Sequence, residues 1–99
     1  MFFDPEAHKE RGVEYEIVMA GFKAAYERAE MELKITTELI ICVLRHLPVQ
    51  SAKETFRTAL AAEHFADGTL AGLGMSSTEL NKPPANWKEI FEEAERMEI

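Results

Sequence analysis

From Tyr15 to Leu47 the apolar positions fall on one side of a helical wheel. At 100° per residue Tyr15, Val18, Met19, Phe22, Tyr26, Leu33, Ile40, Val43, Leu44 and Leu47 share a broad stripe, while Glu16, Lys23, Glu27, Lys34, Glu38 and Arg45 lie opposite. Asp4-Pro5-Glu6 is a helix start, because Asp can cap, Pro is pre-set for the first helical position and Glu suits the first turn. The spacing therefore predicts one long helical segment over 5–47. Val13-Glu14-Tyr15-Glu16-Ile17 also alternates as a half-buried strand would, but the stripe runs through it in phase and favours the helix. A second, sparser stripe of Val13, Ile17, Ala20, Ala24, Met31, Ile35 and Cys42 makes the segment apolar on two sides, as expected of a helix sandwiched between partners.

The second helix is predicted from Ser51, where Ser51-Ala52-Lys53-Glu54 reads as a capping box, to about Ala66, with Gly68 as the stop. Residues 67–86 read as an irregular connector, with glycines in its first half and Pro83-Pro84 near its end. The third helix starts at Asn86 and places Trp87, Ile90, Phe91, Ala94 and Met97 on one face.

The fold class expected from these patterns is all-α: a small helical bundle in a single domain over 1–99. A straight helix over 5–47 would be about 65 Å long at about 1.5 Å per residue. A compact domain of this size is only about 30–35 Å across. The segment must bend, at Gly12, Gly21 or Thr36-Thr37, or project and pair with a second subunit. The surplus of apolar helix surface predicts a homodimer, with Tyr15, Phe22, Tyr26 and Leu33 at the interface and Leu70 and Leu73 as further contact residues.

Charge narrows the choice of partners. Eighteen Asp and Glu against 11 Lys and Arg give a net charge of −7, and no basic cluster stands out. Direct nucleic-acid binding is disfavoured, since it needs cations to displace phosphate counterions, and so is an anionic membrane surface. Cys42 is the only cysteine, which excludes an internal disulfide, and its apolar neighbours mark it as a buried structural thiol. The start of the chain lacks the pattern of a signal peptide, so the cytoplasm is the expected location.

Candidate chemistry is sparse. The glycine-rich stretch Gly68 to Gly74 lacks the Lys and Ser/Thr of a phosphate loop. Glu27 and Glu30 have a spacing suited to magnesium but sit on the polar side of their helix without a matching second pair. His8, His46 and His64 show no mutual ligand spacing. Glu63 and Asp67 are the anomaly. If the second helix runs to Ala66, both carboxylates fall on its inward face among Phe56, Ala59 and Leu60, where burial without a partner is costly. Either the helix frays after Ala62 and both acids reach water, or a divalent cation or a basic residue of a neighbouring chain relieves that cost; hard oxygen ligands suit magnesium, calcium or manganese. No other cofactor is implied.

These observations predict an acidic helical protein–protein interaction module without evident catalysis. Two alternatives follow from particular features: a divalent-metal-binding bundle or hydrolase using Glu63 and Asp67, and an acidic inhibitor or decoy of a nucleic-acid-binding protein.

Overall fold

The run Leu39-Ile40-Ile41-Cys42-Val43-Leu44, apolar on every side, is a strand and not part of a helix. In the computed structural model, which describes residues Met1–Ile99, it forms β2 (Leu39–Leu44) at the centre of a parallel sheet. On one side it pairs with β1 (Phe2–Phe3), in the register Phe2↔Ile40 and Phe3↔Ile41. On the other it pairs with β3 (Leu70–Ser76), from Ile40↔Gly72 to Leu44↔Ser76, with a register shift between Leu39 and Ile40. The physical reason is general. A central parallel strand is covered on both faces, so it reads as a continuous apolar run and not as an alternation. Ile40, Ile41 and Val43 add the β-branched stiffness that suits an extended backbone.

Helices occupy the connections. α1 (Pro5–Glu10) and α2 (Tyr15–Leu33) lie between β1 and β2. α3 (Val49–Ala61) joins β2 to β3. A short 3-10 turn, Pro84–Trp87, leads into α4 (Lys88–Arg96). The chain breaks twice within the segment expected as one helix. It turns after α1 at Gly12, whose φ of +82° a side chain would resist. It leaves α2 at Lys34, in the left-handed region at φ +55°. Gly21 lies inside α2 and causes no break.

Alternation along β2 divides the sheet into two faces. Leu39 and Ile41 join Phe3, Tyr15, Val18, Met19, Ala59 and Leu70 in one buried cluster. Val43 joins Ala52, Phe56, Trp87, Ile90 and Ala94 in a second. Thus α2, α3 and α4 cover one face, and each fully buried Leu, Ile, Val or Phe there contributes about 1.5–3 kcal/mol. The opposite face carries Ile40 and Cys42 across from Gly72 and Gly74. No helix in the structure is long and apolar enough to cross a membrane.

The all-α expectation is therefore overturned. The protein is α/β, with a three-stranded parallel sheet. Two segments account for the error. Residues 39–44 match a helical stripe by phase alone, because an all-apolar run fits any period. Residues 67–86, expected to be irregular, contain β3. The glycines that suggested a loop stand in a strand, where Gly74 allows close approach: a Cβ there would lie 3.0 Å from Cys42 Sγ.

Candidate functional site

A parallel sheet brings the carboxyl ends of its strands to one edge, and binding and catalytic groups of such folds gather there. Here that edge receives Asp4 and Glu6 after β1, Arg45 and His46 after β2, and Ser76, Ser77 and Glu79 at and beyond the end of β3. The groups form a connected network. Ser76 Oγ donates to Asp4 Oδ1 across 3.1 Å, linking the ends of the two outer strands. The backbone N–H of Arg45 donates to the Ser76 carbonyl at 3.0 Å, which carries the β2–β3 ladder one step further. Arg45 Nη1 lies 3.2 Å from Glu79 Oε1, and its Nε is buried without a partner. His46 Nδ1 is 2.6 Å from Ser77 Oγ, and its Nε2 is 3.4 Å from Glu10 Oε1 at the end of α1.

Glu6 is the most unusual member, since it is only 1% exposed. Its Oε1 accepts the backbone N–H of Leu44 at 3.1 Å and its Oε2 accepts the Ser51 hydroxyl at 2.7 Å. One carboxyl thus fastens the start of α1 to the end of β2 and the first turn of α3. Burial pushes its pKa up, and the two hydrogen bonds and nearby His46 only partly oppose that shift. Cys42, two residues before the end of β2, is shifted up as well, by burial first and then by the charge of Asp4. The network offers carboxylates, two serine hydroxyls, an imidazole and a guanidinium within one rim. Such a rim can hydrogen-bond a polar ligand and exchange protons with it.

The residues expected to be functional lie elsewhere. α3 ends at Ala61, one turn earlier than predicted. The N–H of Glu63 bonds to Leu60 O at 2.9 Å and that of His64 to Ala59 O at 3.2 Å, with Glu63 at φ +60°. This is a Schellman termination, with Glu63 where Gly is usual. Glu63 and Asp67 are consequently both exposed, and the inward wheel position that singled them out does not exist. Asp67 Oδ1 accepts the Thr69 N–H at 2.8 Å in a turn, and its hydrogen bonds to Thr69 hold its pKa below the usual carboxylate range. No three His, Cys, Asp or Glu side chains converge in a way that would hold a metal ion.

The expected interface residues are mostly drawn into the chain's own core. Tyr15 and Leu70 are buried, and Phe22, Tyr26 and Leu73 pack half-buried against the same cluster. Leu33 alone stands out, 67% exposed at the end of α2. Tyr15 also hydrogen-bonds His64 Nδ1 at 2.7 Å, with its own pKa raised by burial. The rim at the strand ends was missed because Arg45 and His46 look like ordinary helix surface when 39–44 is read as helix. Read as a strand, the same run ends in Arg-His, which is the signal that was there to find.

Comparison with known proteins agrees with this geometry. The profile of the adenosine deaminase family matches residues 1–99. The adenine deaminase of Aspergillus oryzae is 46% identical over 94 residues, which are 95% of this chain and 27% of that protein. The adenine deaminase of Schizosaccharomyces pombe is 45% identical over 91 residues, 92% of this chain and 25% of that protein. A crystal structure of adenine deaminase from Arthrobacter aurescens superposes with a TM-score of 0.87 at 30% identity, covering 99% of this chain and 29% of that one. The chain thus spans about a quarter of the length of the curated relatives it matches. These relatives bear the names of enzymes, which overturns the expectation of a non-catalytic interaction module. A chain that follows one enzyme family's profile along its whole length, with the parallel sheet that the solved relative shares, belongs to the adenosine deaminase family.

Proposed function

We propose that this chain contributes one sector of an adenine deaminase, an enzyme that replaces the amino group of adenine with oxygen from water and releases ammonia. Identity of 40–50% to proteins of that name over nearly the whole chain is the observation that carries the reading. In this reading β1, β2 and β3 are neighbouring strands of a TIM barrel. Their carboxyl ends, with Asp4, Arg45, His46, Ser76 and Ser77, border the ligand cavity, as the strand ends of such barrels do. Glu6 then acts from beneath the rim by fixing where β2 ends. A cytoplasmic location goes with the proposal and rests on the single, buried thiol of Cys42.

The family profile is described by the nucleoside and the relatives by the free base, so substrate choice is the decisive experiment. The protein as expressed from its own gene is assayed for ammonia release with adenine and with adenosine. The expected result is a kcat/KM for adenine at least about 100-fold above that for adenosine, a ratio within reach of a site built to bind one polar group and exclude another. Preference for adenosine, or turnover of neither, would overturn the proposal.

A further inference from the structure

The side chains of Glu10, His46 and Ser77 approach one another in series, and the series ends at the rim with a hydroxyl. Glu10 Oε1 stands 3.4 Å from His46 Nε2. A carboxylate on that side favours the tautomer with its proton on Nε2, which leaves Nδ1 as a bare acceptor. Ser77 Oγ lies 2.6 Å from Nδ1, within range of a strong O–H donor. In that tautomer the Ser77 hydroxyl gives its only proton to the imidazole. What it presents outward is its remaining lone pairs. A serine without such a partner rotates and offers either polarity.

The backbone supports the same conclusion. Ser77 is exposed, yet it sits at φ +79°, a conformation that costs a non-glycine residue about 1 kcal/mol or more. It follows Ser76 directly, the last residue of β3, so the strand aims it at the rim. His46 lies two residues beyond the end of β2, and Glu10 closes α1. Three separate elements thus converge on one hydroxyl that belongs to no buried core.

We propose that Ser77 is a specificity-determining residue of the rim, whose oxygen accepts a hydrogen bond from a ring N–H of the bound base, and that Glu10 and His46 are positioning residues that impose this polarity. The inference rests on the adenine deaminase reading for the identity of the ligand, though not for the contacts among Glu10, His46 and Ser77 themselves. A free purine base carries a ring N–H that can meet such an acceptor.

Two measurements test it. The first is a long-range proton–nitrogen spectrum of the His46 imidazole, recorded on its neutral form. The expected neutral form carries its proton on Nε2, and a proton on Nδ1 would overturn the inference. The second is kinetics with adenine. Ser77→Gly suits the positive φ and removes no more than the exposed CH2OH group, so its fold is secure. The expected result is a KM about tenfold higher with kcat nearly unchanged, the scale of one lost hydrogen bond. His46→Ala should raise KM similarly, and His46→Asn, which returns an acceptor near the position of Nδ1, should recover most of the loss. An active parent whose KM is the same in Ser77→Gly overturns this inference alone. A parent with no action on adenine overturns the proposed function and takes the assigned ligand with it.

Discussion

The backbone N–H of Leu44, the last residue of β2, donates to the side-chain carboxyl of Glu6, in the first turn of α1, across 3.1 Å. The contact spans 38 positions of sequence and is fully buried. Removing the carboxyl as Glu6→Ala leaves the Leu44 N–H and the Ser51 hydroxyl without their acceptor and opens a void. The expected loss is about 2–4 kcal/mol, measured by denaturant unfolding. Glu6→Gln keeps an acceptor for Leu44 and turns a donor toward Ser51, so it should stay within about 1 kcal/mol of the parent near neutral pH.

The same residue sets a pH dependence whose sign can be worked out. Burial raises the folded-state pKa of Glu6 above its unfolded value. Between those two values the folded chain holds a proton that the unfolded chain has lost, so this residue's contribution to stability falls as pH rises through the window. The contribution is fully present below the unfolded pKa. The stability difference between Glu6→Gln and the parent should therefore shift in favour of the variant as pH rises from about 4 to neutral. A difference that is flat across that range would mean that Glu6 titrates as an ordinary surface carboxylate.

Glu63 offers the opposite kind of change. It occupies the left-handed position of the α3 termination at φ +60°, and it is exposed. Glu63→Gly should stabilise the protein by about 0.5–1 kcal/mol, because glycine adopts that conformation without the Cβ penalty. A melting temperature below that of the parent would show that the Glu63 side chain contributes something its exposure conceals.

The sequence carried part of this arrangement. The helix start at Asp4-Pro5-Glu6, the Gly12 turn and the buried face that Trp87 shares with Ile90 and Ala94 of α4 rest on local signals, and the structure contains each. The sheet rests on something a helical wheel cannot detect. Ile40, Val43 and Leu44 belong to the helical stripe by phase, yet an unbroken apolar run has no period of its own, and only parallel pairing with Phe3 and Leu73 separates the two readings. The candidate site was less legible still. Asp4, His46 and Ser77 are far apart in sequence and meet only because three strands end at the same edge. Glu63 and Asp67 drew attention through a wheel position that a helix one turn shorter abolishes.

Arg45 and Glu79 separate packing from charge. Their ion pair spans 3.2 Å, but the Glu79 side chain is 86% exposed while that of Arg45 is 13% exposed. Solvent screening makes the pair itself weak. Glu79→Ala should change stability by less than about 0.5 kcal/mol. Arg45→Ala should cost about 1–2 kcal/mol, because the buried stem of the arginine is lost with the charge. Equal effects of the two changes would assign the energy to the ion pair.

Gly74 and Cys42 face each other across β2 and β3, and their fit is tight. A Cβ at Gly74 would lie 3.0 Å from Cys42 Sγ and 3.4 Å from Ile40 Cγ2. Ordinary van der Waals contact for such atoms begins nearer 3.5 Å. Cys42 is held in the central strand and is only 4% exposed, so its sulfur has little room to retreat. Gly74→Ala should therefore destabilise the protein by about 1–3 kcal/mol through overpacking. Cys42→Ala alone removes the sulfur and costs about 1 kcal/mol of packing. In the double variant the new methyl group occupies space the sulfur has left, so the two losses should not add. The expected coupling is about 1 kcal/mol in the favourable direction, within the range found for residues in contact. Additive losses would mean that the strands part to admit the methyl group. In that case the close approach of β2 and β3 at this point would not be what requires glycine at position 74.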